Sequence, residues 1–248
     1  MTKAFFTIAD KNNLPYYEML KNSLSKFHPD IPLILYDDAK IASYNDRDFF
    51  YRATPIIASQ LLEEYDAVCK LDSDQIITGN LDHIWEGEFD VAVVNNSNPR
   101  EDKTYPVRFL NIHPFSYVNC GMVVMKSKPL VKQWLALCQS VHFQFYQYRE
   151  QDLLNLMVFY LEEKFGGPYK IKFLDASNKW HGLISKQYWP QVVLKEDKLI
   201  IPKNEEWPKD EDKEISVIHW AGGKVGKMNY RLHFQDEVIK RLDYLVKP

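Results

Sequence analysis

Lys70-Leu71-Asp72-Ser73-Asp74-Gln75-Ile76-Ile77 sets two carboxylates one residue apart at the end of an apolar run. Acidic pairs of that spacing arise by chance, and Asp46-Arg47-Asp48 and Asp210-Glu211-Asp212 repeat it in polar surroundings. Only Asp72 and Asp74 follow a strand-like segment, Ala67-Val68-Cys69-Lys70-Leu71, whose apolar residues suit a buried sheet. A strand ending in two acids presents hard oxygen ligands at the carboxyl edge of a sheet, where open α/β folds bind their ligands. Two unpaired carboxylates repel each other there unless a cation sits between them, and a divalent ion does this best. Taken alone, the pair reads equally well as a solvated junction between a strand and a turn.

Around it, the first half of the chain alternates between strand and helix patterns. Lys3-Ala4-Phe5-Phe6-Thr7-Ile8 reads as the first strand, and Tyr16 to Phe27 as a helix with Met19, Leu20, Leu24 and Phe27 at helical spacing. Pro32 to Tyr36 is a second strand, and Pro55 to Leu62 a helix with proline in its first turn. This β-α-β-α-β order predicts a doubly wound, mainly parallel sheet flanked by helices. Further strands are expected at Phe89–Val94 and Gly121–Met125, with helices at Pro129–Gln139, Gln151–Tyr160 and Phe234–Val246. Asn95–Asn119 is too long for an ordinary connection and suits a lid or binding loop. Gly166–Trp189 reads as irregular, and Lys203–Glu214 as a charged surface excursion.

Composition narrows the possible functions. The 248 residues, 46% of them hydrophobic, suit one compact domain over 1–248. A net charge of −3 leaves no basic footprint for nucleic acid. Aromatic residues make up 14%; most belong in the core, and a surplus on loops would suit stacking against sugar rings. Cys69, Cys120 and Cys138 form no CxxC pair, which points to a reduced, cytoplasmic protein. No apolar run approaches the roughly 20 residues that a membrane span needs.

Three more patches carry chemistry. In Ser216-Val217-Ile218-His219-Trp220-Ala221-Gly222-Gly223-Lys224, an apolar strand delivers a histidine into a glycine-rich turn that ends in lysine. Beside two carboxylates, that nitrogen suits Mn²⁺ better than Ca²⁺. The glycines let backbone approach a ligand, and Lys224 or Lys227 can meet phosphate oxygens. Tyr117-Val118-Asn119-Cys120-Gly121 puts Asn-x-Gly at the start of a buried strand. Glu150-Gln151-Asp152 opens a helix, where acids also complement the helix dipole.

In this order the four patches resemble the retaining glycosyltransferases of family 8, over nearly the whole chain. The resemblance includes Thr7-Ile8-Ala9-Asp10…Leu14-Pro15, Leu71-Asp72-Ser73-Asp74 before Gly79-Asn80-Leu81-Asp82, Asn119-x-Gly121, Gln151-Asp152 and His219-x-x-Gly222. It implies a GT-A type nucleotide-diphospho-sugar transferase fold, with 1–94 as the nucleotide-binding part and 95–248 carrying the acceptor side and the metal-binding histidine. It also implies transfer of a hexose, with retention of configuration, from a nucleotide-diphosphate sugar such as a UDP-sugar. Asp72, Asp74 and His219 become ligands of Mn²⁺ or Mg²⁺, and Gln151 and Asp152 the catalytic pair. Donor contacts fall to Ala9, Asp10, Asn13, Arg52, Asp72, Ser73, Asn119, Gly121, Glu150, Gly222 and Lys224 or Lys227, with Lys224 preferred. The acceptor, whether glycan, lipid or protein, would meet the loops Asn95–Tyr117 and Gly166–Trp189.

Three positions depart from the family pattern. Asn13 stands where tyrosine is usual before Leu-Pro, Glu150 replaces the first acid of Asp-Gln-Asp, and the lysine after His219 lacks its usual spacing and its Pro-Trp. Two other readings stay open on the residues: a sugar-phosphate nucleotidyltransferase and an inactive sugar-nucleotide-binding protein. The first needs a glycine-rich loop after the first strand, and Ala9-Asp10-Lys11-Asn12-Asn13 contains no glycine. A phosphotransferase of the haloacid-dehalogenase type would carry its acids on the first strand, and these follow the third.

Overall fold

Alternate residues of the opening strand enter two different cores. Phe5 lies edge-on to Trp85 and belongs with Leu20 and Cys69, whereas Phe6 lies edge-on to Tyr36 and belongs with Ile57 and Val68. A strand covered on both faces has no polar side to alternate with, so it reads as an unbroken apolar run. The computed structural model describes residues 1–44, 49, 52–95, 105–107, 110–112, 117–140, 146–161, 169–174, 179–181, 186–205, 208, 210–220 and 230–248.

The chain begins β1 (Lys3–Ile8), α1 (Leu14–Ser25), β2 (Leu33–Tyr36), α2 (Asp38–Ser43), α3 (Ala53–Leu61), β3 (Ala67–Leu71) and β4 (Gln75–Ile77). It continues through β5 (Val91–Asn95), β6 (Tyr105–Val107), β7 (Leu110–Ile112), β8 (Val118–Met125), α4 (Lys128–Ser140) and α5 (Glu150–Leu156). The last part holds β9 (Ile171–Phe173), β10 (Lys179–Trp180), β11 (Val193–Lys195), β12 (Lys198–Ile201), β13 (Lys213–Ile215), β14 (Val217–His219) and α6 (Asp236–Val246). The expected helices appear with ends shifted by a few residues, and α5 passes into π-helical turns at Met157–Leu161. The short α2 was not foreseen; the Asp37 side chain caps it by accepting from Lys40 N at 3.0 Å.

The central sheet has the order β2-β1-β3-β8-β5-β9. Pairs β1–β2, β1–β3 and β5–β9 are parallel, while β8 runs antiparallel to both β3 and β5. The sheet is therefore parallel on both flanks with one reversed strand between them. That reversal positions the site, because it brings the beginning of β8 beside the end of β3. Leu71 pairs with Met122, and Asp72 N–H continues the ladder to Gly121 O at 2.8 Å.

A second sheet, β10-β13-β12-β11, takes in Lys179–Trp180 from the stretch read as irregular and Lys213–Glu214 from the end of the expected surface excursion, while the other described residues of 203–212 form no strand or helix. Its strands are short, and one face packs Leu199, Ile201 and Ile215 into a third core with Leu242 and Leu245 of α6. The outer face carries Lys195–Asp212 and Lys198–Glu214 ion pairs at 2.9 and 3.1 Å. Those alternating charges look like a loop in sequence. Within 95–117 the described residues form the β6–β7 hairpin, and the rest of that expected loop lies outside the described residues. No helix among the described residues is long and apolar enough to cross a membrane, and Cys69, Cys120 and Cys138 are all buried and free.

Candidate functional site

Three separate chain segments meet at the carboxyl end of β3. The turn after β3 carries Asp72 and Asp74, the start of β8 carries Asn119 and Gly121, and β14 delivers His219. Strand β14 pairs antiparallel with β4 so that His219 lies opposite Gln75, and Trp220 N–H donates to Asp74 O at 3.0 Å. The Gln75 amide, fully buried, donates to Gly121 O at 3.0 Å and ties the start of β8 to the other two segments. As a result one oxygen each from Asp72 and Asp74 and one ring nitrogen of His219 lie within 4.8 Å of one another.

His219 Nε2 is 3.3 Å from Asp72 Oδ2 and 3.4 Å from Asp74 Oδ1, yet neither oxygen is aligned to accept a hydrogen bond from it. A buried imidazole nitrogen facing two carboxylate oxygens at these distances fits the donor set of a divalent-ion site. Two hard oxygens and an imidazole suit Mn²⁺ or Mg²⁺, with a lean toward Mn²⁺. Burial works to lower the His219 pKa, but the two carboxylates outweigh it and raise it to about 9. An incoming ion must therefore displace a proton from this ring. Burial also opposes ionisation of Asp72, but Lys70 and then His219 hold its carboxyl well below the usual carboxylate range.

Glycine at position 121 makes room for that ring. A methyl there would lie 2.6 Å from His219 Nδ1, closer still to Cε1, and 2.7 Å from Asn119 Oδ1. Asn119 Oδ1 itself accepts from Gly121 N–H at 2.7 Å, so Asn-x-Gly shapes the strand end on which the histidine rests.

A second group of side chains joins α5 to β8. Gln151 Oε1 accepts from Cys120 N–H at 2.8 Å, and its Nε2 donates to the Tyr117 hydroxyl at 3.1 Å. Tyr117 in turn donates to Asp152 Oδ1 at 2.5 Å, while Asp152 Oδ2 accepts from Tyr148 N–H at 2.9 Å. Asp152 is 1% exposed, and both of its oxygens are engaged. Burial raises its pKa, against the hydrogen bonds it accepts. Asn155 completes the clamp, accepting from Val118 N–H at 2.7 Å and donating to Val118 O at 2.9 Å. Removing the hydroxyl with Tyr117→Phe leaves Asp152 buried with one donor fewer. It should cost about 1–3 kcal/mol of stability, read from urea unfolding. An unchanged midpoint would remove this clamp from the account.

The other expected donor residues are placed as follows. Asp10 Oδ1 accepts from Asn12 and Asn13 N–H at 3.0 Å and from Asn13 Nδ2 at 2.8 Å, so both Asp10 and Asn13 build the turn that opens α1. Ala9 is buried and donates through its N–H to Tyr36 O at 3.1 Å; Ser73 is buried between the two acids; Arg52 occupies the N-cap position of α3. Glu150 sits at the same helix end, accepting from Thr54 Oγ1 at 2.6 Å and Thr54 N–H at 3.3 Å. Burial raises the Glu150 pKa, with Lys70 and Thr54 opposing. Gly222, Lys224 and Lys227 lie outside the described residues.

Four residues beside the site were not expected from the sequence: Lys70, Gln75, Tyr117 and Asn155. Lys70 left a signal, being a lysine inside a run otherwise fit for a buried strand. The others sit in motifs but gave no sign of their partners.

Comparison with known proteins agrees with this architecture. The profile of Glycosyl transferase family 8 matches residues 9–225. The galactosyltransferase LgtC, crystallised with donor and acceptor sugar analogues, superposes with a TM-score of 0.58 at 16% identity, over 98% of this chain and 95% of that one. A glycosyltransferase involved in glycosylation of the major capsid of PBCV-1 gives 0.54 at 9% identity, over 99% and 98%. The bifunctional glycosyltransferase WbbM gives 0.59 at 16%, over 90% of this chain and 46% of that one. No curated protein matches the chain in sequence. With a GT-A type sheet, an acid pair at its carboxyl edge and a family match over most of its length, the chain belongs to glycosyl transferase family 8 and is a glycosyltransferase.

Proposed function

We propose that this enzyme moves a hexose from a uridine-diphosphate sugar to an acceptor with retention of configuration, using Mn²⁺ or Mg²⁺ held by Asp72, Asp74 and His219. The observation that carries the reading is the convergence of those three side chains beside a strand end, with the His219 nitrogen unbonded between the acids. When bound, such an ion offsets the negative charge that gathers on the departing diphosphate. Lys224 or Lys227, after the glycines beyond His219, is assigned to the same diphosphate.

Gln151 is assigned to the sugar. Its amide is held by Cys120 and Tyr117, and a carboxamide dipole stabilises a cationic sugar centre without acting as a base. Asp152, with both oxygens engaged, would have to release Tyr117 or Tyr148 before attacking the sugar. This favours a route in which the departing phosphate takes the acceptor proton on the same face. Gln151→Ala should slow transfer by about 10²–10³-fold, as for loss of one preorganised electrostatic contact. Unchanged single-turnover rates would take Gln151 out of the chemistry.

The test is incubation with a panel of nucleotide sugars and Mn²⁺, with UDP-galactose tried first because of the likeness to LgtC. Released nucleoside diphosphate supports the reading. Pyrophosphate would make the protein a nucleotidyltransferase, and donor binding without product a binding protein. Proton NMR of the first-formed product decides the stereochemistry: a β-linked product from an α-linked donor means inversion.

A further inference from the structure

Lys70 is a buried cation already in contact with one of the proposed metal ligands. It lies two residues before Asp72 on β3, so both side chains leave the same face of the sheet. Its side chain is almost wholly covered, and its ammonium donates to Asp72 Oδ1 and, at 2.8 Å, to Cys120 O at the start of β8. The half-buried Glu150 carboxyl, held by Thr54 at the start of α3, adds its charge to the same pocket. Among the described residues no lysine or arginine pairs with Asp74; the ion pair given for its carboxylate is with His219 at 3.4 Å. The two acids of the pair are thus unequal. Both acids share His219, but among the described residues only Asp72 is also paired with a lysine from within the sheet.

We infer that Lys70 acts as a resident cation that competes with the divalent ion for Asp72, lowering the affinity of the bare site and leaving only Oδ2 of that carboxylate to face an incoming ion. This rests on the metal assignment of Asp72, Asp74 and His219 proposed above. A fixed positive charge in contact with a ligand oxygen opposes binding of a second cation, strongly where little water screens it. In consequence, the site takes up its ion well only once a donor diphosphate supplies further negative oxygens. Lys70 touches no substrate in this scheme and works through Asp72 as a positioning residue.

The test is titration of the purified protein with Mn²⁺ alone, following loss of the free-ion EPR signal, for the parent, Lys70→Met and Lys70→Arg. Lys70→Met should bind Mn²⁺ about tenfold more tightly than the parent, because the competing charge is gone. Lys70→Arg, which keeps the charge, should stay close to the parent. A lysine that merely braces Asp72 predicts the opposite sign, so unchanged or weaker binding by Lys70→Met overturns the inference, as does equal tightening by Lys70→Arg. If Lys70→Met does not fold, because Glu150 is left without its cation, Lys70→Met with Glu150→Gln removes both charges and should still bind more tightly than the parent. Failure of the parent and every variant to bind Mn²⁺, with or without UDP, overturns the metal assignment itself and this inference with it.

Discussion

Asp74→Asn is expected to abolish Mn²⁺ binding and to lower transfer on the order of 10³-fold or more. Partners that merely orient a metal ligand typically contribute 10–100-fold, and Asp74 is assigned as the ligand itself. The fold should survive. Lys70 neutralises Asp72, not Asp74, so the exchange removes the acid whose charge is least compensated and relieves repulsion across the pair. Thermal unfolding without metal should therefore be unchanged or slightly later. The combination to look for is full structure with no Mn²⁺-induced shift in unfolding temperature. Parent protein that remains active after exhaustive chelation, or Asp74→Asn that still responds to Mn²⁺, would remove Asp74 from the metal site.

Gly121→Ala should be nearly as damaging, through one methyl group. Among the described glycines only Gly87 has a positive φ, so alanine can adopt the backbone at 121 without strain. The obstacle is the His219 ring, 2.6 Å from the methyl at Nδ1 and closer at Cε1. Either the imidazole swings away from Asp72 and Asp74, or the end of β8 moves and takes Asp72's ladder partner with it. Both break the three-ligand geometry, so Mn²⁺ affinity should fall at least about tenfold, and overpacking should cost about 1–3 kcal/mol in urea unfolding. Parent-like Mn²⁺ affinity with lowered stability would mean that the ring shifts within the site without losing its role.

These two residues show different degrees of legibility. Asp74 could be singled out in the sequence because its environment is local: an apolar strand, two acids, then a second apolar run. Gly121 stood out only as part of Asn-x-Gly, and the resemblance assigned it to the donor. Its contact with His219 comes from the reversed β8 lying beside β3 while β14 pairs with β4, a juxtaposition no local pattern encodes. Asp152 makes the same point from another direction. Its place at a helix start was legible, but the hydroxyl of Tyr117 and the amide of Tyr148 that engage both its oxygens were not.

The second sheet was lost for a more ordinary reason. Glu196 and Asp197 join β11 to β12 with φ of 48° and 63°, left-handed values usually signalled by glycine or asparagine. With neither residue there, the usual turn signal between the two short apolar runs is missing, and 190–202 carries no expected element.

The sequence by itself determined the alternating strands and helices of roughly the first seventy residues, the acid pair at a strand end and the family, because two-residue and 3.6-residue periodicities and short motifs are properties of neighbouring residues. Only the tertiary structure decided which groups oppose one another: His219 between Asp72 and Asp74, Lys70 on one acid and not the other, Thr54 on Glu150, and Gly121 under the imidazole. Each of those pairings is set by strand order and register, and by burial, which turns an otherwise ordinary lysine or carboxylate into a fixed charge with few partners.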